Sequence, residues 1–322
     1  MQKKKFIIFA PSYAKNVGGA IALHKLCDLL NRAGYEAYLY PLYISYELHP
    51  YNLDAIENYI NELNNTFLIN KTLSIDKQVS PTELPYIYWV NPNFLTPVFK
   101  PSKSDSFGDE WVVIYPEITF GNPLRAKNVV RWFLHNPGFF NSRIYYSSNE
   151  LYFLYSKAFN DFQFPGSKTS NLMLMILDIP LDLFYEPDIS QKRSGTAYLL
   201  RKGRDRVLVH NLENSILIDG KSNSEIADIF RSVETFISYD PATLYSNLAV
   251  LCGCNSVVIP LDGVGEEEWC PNYMSYGVAY GFENISKAKK TAPLLRDALL
   301  LATSQSHKLV QSFVSEVDEY FN

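Results

Sequence analysis

The sequence is poor in cysteine, and its four cysteines form no metal-binding pattern. Cys27, Cys252, Cys254 and Cys270 include no C-x-x-C pair. Cys252 and Cys254 flank Gly253 inside an apolar run, where small buried thiols are common. We therefore expect a reducing compartment, the cytoplasm, and no zinc site.

Long apolar runs and a strong excess of charge are also absent. No run reaches the length that spans a bilayer, and the apolar stretch 6–10 is too short for a signal peptide. Lys3–Lys5 precede that stretch and could touch an anionic membrane surface weakly, although they are more typical of a solvated strand start. The net charge of -5 argues against nucleic acid as a partner of the whole chain.

Aromatic residues are abundant instead. They make up 15% of the 322 residues, with 23 Tyr and 20 Phe, and most of them are expected to serve packing. A chain of this length is sufficient for two domains of ordinary size.

The first half alternates strand-like and helix-like segments. "KKFIIFAPS" predicts a buried strand, and the glycine pair Gly18-Gly19 opens an amphipathic helix that ends at Gly34. "EAYLYPL" is the next strand, followed by "LPYIYWV", "EWVVIYP", "NVVRWFL" and "SNLMLMILD", with an irregular polar stretch at 64–82. This alternation predicts a parallel sheet.

The alternation restarts at Thr196. Strands are predicted at "TAYLL", "NSILIDG", "ETFISY" and "NSVVIPL", and "SNSEIADIFRSV" is predicted as a helix with Ser222 or Ser224 as its cap. The stretch 284–322 reads as helical, interrupted near Pro293. We predict an α/β fold with two Rossmann-like domains, 1–188 and 189–322, in which the last helical stretch can pack back on the first domain.

One segment of the second half carries a family resemblance. "FISYDPATLYSNLAVLCGCNSVVIP" resembles the donor half of GT-B glycosyltransferases, many of which have Glu-x7-Glu before a "cG-x-P-V-V" segment. Asp240 falls at the first acidic position and Leu248 at the second, so the second acid is absent. The resemblance implies two domains facing a cleft, a first acid beside the donor sugar, and a second acid on the nucleotide ribose.

The residues after Asp240 predict an anion-binding helix end. Pro241 suits a first helical turn, and the free N–H groups there, with the hydroxyls of Thr243 and Ser246, would suit a pyrophosphate. The structural alternative is that Asp240 is only a helix cap.

A basic turn follows the first strand of the second half, "YLLRKGRDR". In the resemblance, Arg201 and Lys202 would neutralise the diphosphate leaving group, as a metal-independent transferase requires. Arg204 lies close behind them. The alternative is an ordinary basic surface turn.

The glycine pair of the first half is a weaker signal. Gly18 and Gly19 let a backbone approach a ligand closely. They resemble the amino-terminal GT-B loop that lies against the donor or acceptor. They complete no G-x-G-x-x-G pattern, so a dinucleotide site is not supported.

The segment "IYPEITFGNPLRAKNVVRWFLHNPGFF" resembles one found in bacterial surface-polysaccharide glycosyltransferases. Glu117 and His135 each follow a strand, and either could act as a base or bind a sugar hydroxyl. The alternatives are a capping or ion-pair role for Glu117 and a backbone-bonded structural role for His135.

These features together predict a cytoplasmic glycosyltransferase of surface-polysaccharide (capsule or lipopolysaccharide O-antigen) assembly. It would move a sugar from a nucleotide diphosphate donor, expected to be UDP-linked, to a saccharide or lipid-linked acceptor. No cofactor is expected. No metal is expected either, because the adjacent carboxylates of "EEE" point in different directions. Two alternatives stay open: a non-catalytic nucleotide-sugar-binding subunit, and a nucleotide-sugar epimerase.

Overall fold

The computed structural model describes residues 3–42, 68–70, 87–100, 104–140, 144–157, 162–187, 192–270 and 272–322, with the backbone alone at 68–70 and 87. The chain separates into two compact units, Met1–Asp178 with Ser304–Asn322, and Ile179–Thr303. The first unit therefore includes the end of the chain as well as its beginning.

The described residues of the first unit form eight strands: β1 (Lys5–Ala10), β2 (Glu36–Pro41), β3 (Leu68–Asn70), β4 (Ile87–Trp89), β5 (Trp111–Pro116), β6 (Asn128–Phe133), β7 (Leu151–Leu154) and β8 (Lys168–Met173). Six of them form one sheet in the order β2-β1-β5-β6-β7-β8, while β3 and β4 pair separately. All these pairs are parallel.

The second unit contains a parallel sheet of its own. Its strands are β9 (Thr196–Leu199), β10 (Ser215–Leu217), β11 (Thr235–Ser238), β12 (Asn255–Val258) and β13 (Val278–Tyr280). Their order is β10-β9-β11-β12-β13, and every pair is parallel. The prediction of an α/β fold with two Rossmann-like sheets is confirmed.

The helices of the described residues are α1 (Gly18–Arg32), α2 (Asn223–Ser232), α3 (Tyr245–Leu251), α4 (Glu266–Trp269) and α5 (Ile285–Phe321). The predicted limits of α1 and α2 are confirmed. Gly34 follows α1 with φ of 78°, and the Ser222 side chain accepts the Glu225 N–H in a capping box.

One core cluster of the first unit lies between the six-stranded sheet and two helices. Leu23 and Leu26 of α1 are buried against apolar strand residues such as Ile8, and Phe313 and Val317 of α5 join the same cluster. Each such side chain contributes about 1.5–3 kcal/mol by leaving water.

Three features of the fold differ from the sequence prediction. The short strands β7 and β13 were not predicted, and β3 lies inside the stretch 64–82 that was read as irregular, the rest of which is outside the described residues. Helix α5 also continues through Pro293 instead of being interrupted. Pro293 has no N–H to donate to the carbonyl group of Lys289. Lys289 is exposed, so water can bond that carbonyl group instead.

The lysines before β1 are engaged within the first unit. Lys3 bonds the Gly34 carbonyl, and Lys4, which is buried, donates to the Asp109 carbonyl at 2.8 Å. Lys5 lies 3.7 Å from the carboxylates of both Glu36 and Glu110. These lysines hold the start of the strand. No helix in the described part of the chain is both long and apolar enough to cross a membrane.

Candidate functional site

The strand order of the first sheet reverses between β1 and β5. In open parallel sheets, ligands bind at such a reversal, at the carboxyl ends of the strands. Gly18 and Gly19 are the first two residues of α1, the helix that follows β1, and Glu117 directly follows β5. The structure therefore places these predicted residues at the reversal.

Contacts with Leu134 bring these residues together. The Glu117 carboxylate accepts the Leu134 N–H at 3.0 Å, and a Cβ at Gly19 would lie 3.6 Å from a Leu134 methyl group. A Cβ at Gly18 would meet nothing within 4 Å, so the start of α1 is open. Val17 gives this helix no side-chain cap.

His135 is the next residue along the chain, two residues beyond β6. Its side chain is buried, and its ring lies 4.1 Å from the ring of Phe139 and 5.3 Å from that of Phe140. The structure thus brings Gly19, Glu117 and His135 to one edge of one sheet.

A buried ion pair behind this edge was not predicted. Arg131 donates two bonds to the Glu150 carboxylate, at 2.6 and 2.7 Å, and further bonds to the carbonyls of Thr119 and Gly121. Burial opposes its charge, but Glu150 outweighs that effect and raises the pKa of Arg131. The sign of this ion pair in the sequence is a single cation, Arg131, within the apolar run "NVVRWF". The pair fixes the segment that follows Glu117.

The second sheet reverses between β9 and β11. Arg201 and Lys202 lie in a 3-10 turn directly after β9, and Asp240 lies two residues after β11. A Cβ at Gly203 would lie 2.1 Å from the carbonyl oxygen of Tyr239. Only glycine fits at this contact, which holds the basic turn against the end of β11.

Arg201 has a constrained backbone. Its φ is 37°, a conformation that side-chain-bearing residues seldom adopt and that occurs often at functional sites. The Asp219 carboxylate holds it there by accepting the N–H groups of Leu200 and Arg201, each at 2.9 Å. The Arg201 guanidinium lies 4.8 Å from the Tyr245 ring centre, whereas Lys202 is exposed.

Asp240 is buried, and it is not the cap of a helix. Its carboxylate accepts the Ala242 N–H at 3.0 Å in a turn, and α3 begins only at Tyr245. The prediction that Pro241 starts the helix is therefore wrong, because the carboxylate bond stabilises a turn at 240–242 instead.

Thr243 and Ser246 occupy different environments near the start of α3. Thr243 Oγ1 accepts the Tyr245 N–H at 3.3 Å. Ser246 lies inside the helix, and its buried hydroxyl has no hydrogen-bond partner among the described residues. Leu248, at the position of the missing second acid, is buried, and the adjacent Asn247 donates to the Met274 carbonyl at 2.7 Å.

Arg206 is a residue of this edge that the sequence did not single out. Its guanidinium donates to the carbonyls of Tyr239 and Ile259, at 2.9 and 3.0 Å, and also to that of Pro260. It ties together the ends of β11 and β12. The sequence "RKGRDR" does not indicate which of its basic residues bind a ligand and which bind main-chain carbonyl groups.

Comparison with known proteins gives similarity at the level of structure. No family model matches the chain, and no curated protein matches it. Among solved structures, it is similar to a sucrose-phosphate synthase from Thermosynechococcus elongatus, with 9% identity over 99% of this chain and 95% of that one, and a TM-score of 0.44. At that TM-score the similarity does not bear on the activity of this chain.

Proposed function

We propose that this protein is a glycosyltransferase that moves a sugar from a nucleotide diphosphate to a saccharide or lipid-linked acceptor. One observation carries the proposal. In the second unit, the basic turn at Arg201 and Lys202 and the carboxylate of Asp240 share the strand reversal at the carboxyl edge of a parallel sheet. Such an edge is where α/β proteins bind nucleotides.

The basic turn suits a diphosphate leaving group. When the bond between the sugar carbon and the phosphate oxygen breaks, the electron pair goes to the diphosphate, so its negative charge increases. Fixed cations stabilise that charge without a metal. The backbone of Arg201 is held by Asp219, and Lys202, the next residue, is exposed and would supply a second cation.

Asp240 and Thr243 are assigned to the donor sugar and its phosphates. A carboxylate repels phosphate, so a sugar hydroxyl is the better partner of Asp240, while Thr243 and nearby amides suit the phosphate. Ser246 lies inside α3 and its hydroxyl oxygen is fully buried, so its proposed role is to support this segment from behind.

In the first unit, Glu117 or His135 is assigned to the acceptor. Either side chain can accept the proton of the attacking hydroxyl as that oxygen forms its bond to the sugar carbon. Gly18 and Gly19 allow a substrate to approach the start of α1. The surface-polysaccharide role and the UDP-linked donor rest on the sequence resemblance, and the cytoplasmic location rests on the cysteine pattern; all three are part of the proposal.

Calorimetry with UDP, GDP, TDP and CMP, and with the nucleoside of each, tests the nucleotide site. We expect one diphosphate to bind and its nucleoside to bind much more weakly. Absence of binding by all of them would refute the proposal.

Incubation with the matching nucleotide sugar separates the alternatives. A transferase hydrolyses its donor slowly when no acceptor is present. A binding subunit leaves the donor intact, and an epimerase converts it to another nucleotide sugar.

A further inference from the structure

Two phenyl rings stand exposed beside the candidate edge of the first unit. Phe139 and Phe140 are 51% and 57% exposed. Leaving such rings in water forgoes about 1.5–3 kcal/mol each. Other large aromatic side chains among the described residues of this unit are buried instead, for example Phe6, Phe9 and Phe133.

The two rings are held in place despite their exposure. The Phe139 N–H donates to the Asn136 carbonyl at 3.1 Å, and Gly138 has φ of 82°, so the chain turns tightly before the rings. The rings meet edge to face at 5.0 Å, and the His135 imidazole packs against both. We call Phe139 and Phe140 with His135 the aromatic platform.

Polar groups lie immediately beside the platform. His135 follows Leu134, whose N–H binds the Glu117 carboxylate. An apolar surface and hydrogen-bonding groups therefore meet at one strand end. A lipid tail would use only the apolar surface, and a carboxylate disfavours the phosphate of an anionic headgroup.

We propose that the aromatic platform binds a sugar ring of the acceptor. A pyranose has an apolar C–H face, which packs on the negative face of an aromatic ring, and a rim of hydroxyl groups, which suits a carboxylate and an imidazole. This inference rests on the proposed function, and it identifies the acceptor as a saccharide at the point of contact.

Saturation-transfer NMR with methyl glycosides of glucose, galactose, mannose, rhamnose and N-acetylglucosamine tests the platform directly. We expect at least one glycoside to bind, and the double variant Phe139→Ala/Phe140→Ala to weaken that binding by about tenfold. Phe139→Tyr/Phe140→Tyr keeps both rings and should retain the binding. Phe282→Ala, which removes a phenyl group that is 43% exposed in the second unit, is the matched control and should have no effect.

Two results would overturn the inference. One is that no glycoside binds, or that the double alanine variant binds it as the wild type does. The other is that the wild type sediments with vesicles of phosphatidylethanolamine and phosphatidylglycerol in a manner that depends on Phe139 and Phe140, which would assign the two rings to a lipid surface.

Calorimetry with UDP, GDP and TDP on the same samples separates this inference from the proposed function. Diphosphate binding should be equal in the wild type and the double alanine variant. A wild type that binds a glycoside at the platform but no nucleotide would refute the transferase and leave the sugar site standing.

Discussion

At the scale of single residues, Arg201 shows how one position serves both fold and proposed chemistry. Its left-handed backbone is held by the Asp219 carboxylate, and its guanidinium lies over the Tyr245 ring. Because the main chain is fixed by its own bonds, the side chain can be changed with little effect on the turn.

Substitutions in the basic turn should weaken the binding of a nucleoside diphosphate but not the binding of the nucleoside. Arg201→Ala and Lys202→Ala should each weaken diphosphate binding by about 1.5–3 kcal/mol, the range for a charge-assisted bond, and leave nucleoside binding unchanged. Calorimetry measures both ligands. Arg204→Ala, an exposed cation two residues further on, is the control. An equal loss for both ligands would mean that neither residue contacts phosphate.

Asp240→Asn tests the carboxylate. Asparagine keeps an oxygen that can accept the Ala242 N–H, so the turn and the diphosphate affinity should persist. Sugar transfer should fall by about a hundredfold, the scale for one positioned polar group. The exposed carboxylate of Asp205 gives the control Asp205→Asn. Unchanged transfer, or a melting temperature that collapses, would restrict Asp240 to a structural role.

At the scale of elements, the contact between the basic turn and β11 decides where the cations lie. Gly203 approaches the Tyr239 backbone so closely that a Cβ would lie 2.1 Å from the carbonyl oxygen and 2.5 Å from the carbonyl carbon. Both atoms belong to the main chain, so no side-chain rotation can relieve the overlap.

Gly203→Ala should therefore displace the whole turn. We expect a loss of about 1–3 kcal/mol in the free energy of unfolding, the range for overpacking, and weaker diphosphate binding in the protein that still folds. Gly265→Ala is the control, because a Cβ there meets nothing within 4 Å and its φ is -79°. Urea denaturation measures the stability, and equal stability of the two variants would contradict the contact.

At the scale of the whole molecule, His24 links the stability of the fold to pH. It is buried in α1, where its Nε2 lies 2.8 Å from the Pro11 carbonyl and its ring packs against those of Tyr13 and Tyr88. Burial lowers its pKa from 6.5 to about 4, although the Pro11 bond opposes the shift. The unfolded chain therefore binds a proton below pH 6.5 that the folded chain does not bind until about pH 4.

Acidification should for this reason destabilise the protein. Protonation of His24 in the unfolded chain lowers the free energy of unfolding as the pH falls below 6.5. At pH 4 the free energy of unfolding is about 3 kcal/mol lower than it is above pH 6.5. His24→Gln retains a donor for the Pro11 carbonyl and should remove that part of the pH dependence. Urea denaturation between pH 4 and 7 measures it, with His307→Gln, at an exposed histidine, as the control. Identical pH profiles for His24→Gln and the wild type would refute the assignment.

Much of the fold was predictable from local patterns. The limits of α1 followed from its apolar spacing and from Gly34, because both depend on residues close in sequence. The sequence left Ser222 and Ser224 as candidate caps of α2, and the capping box with Glu225 selects Ser222. The turn at 240–242 was not predicted. A proline after an aspartate suits either a helix start or a turn, and the Ala242 N–H bond decides between them.

The sequence by itself determined that strands and helices alternate in two halves, and that basic and acidic residues follow particular strands. Only the tertiary structure decided the order of those strands, and hence that Glu117 lies with Gly19, and Asp240 with Arg201, at the two reversals. It also decided that the cations of Arg131 and Arg206 bind protein groups. The physical reason is that periodicity and turn chemistry act over a few residues, whereas strand order and close packing join residues far apart in the chain.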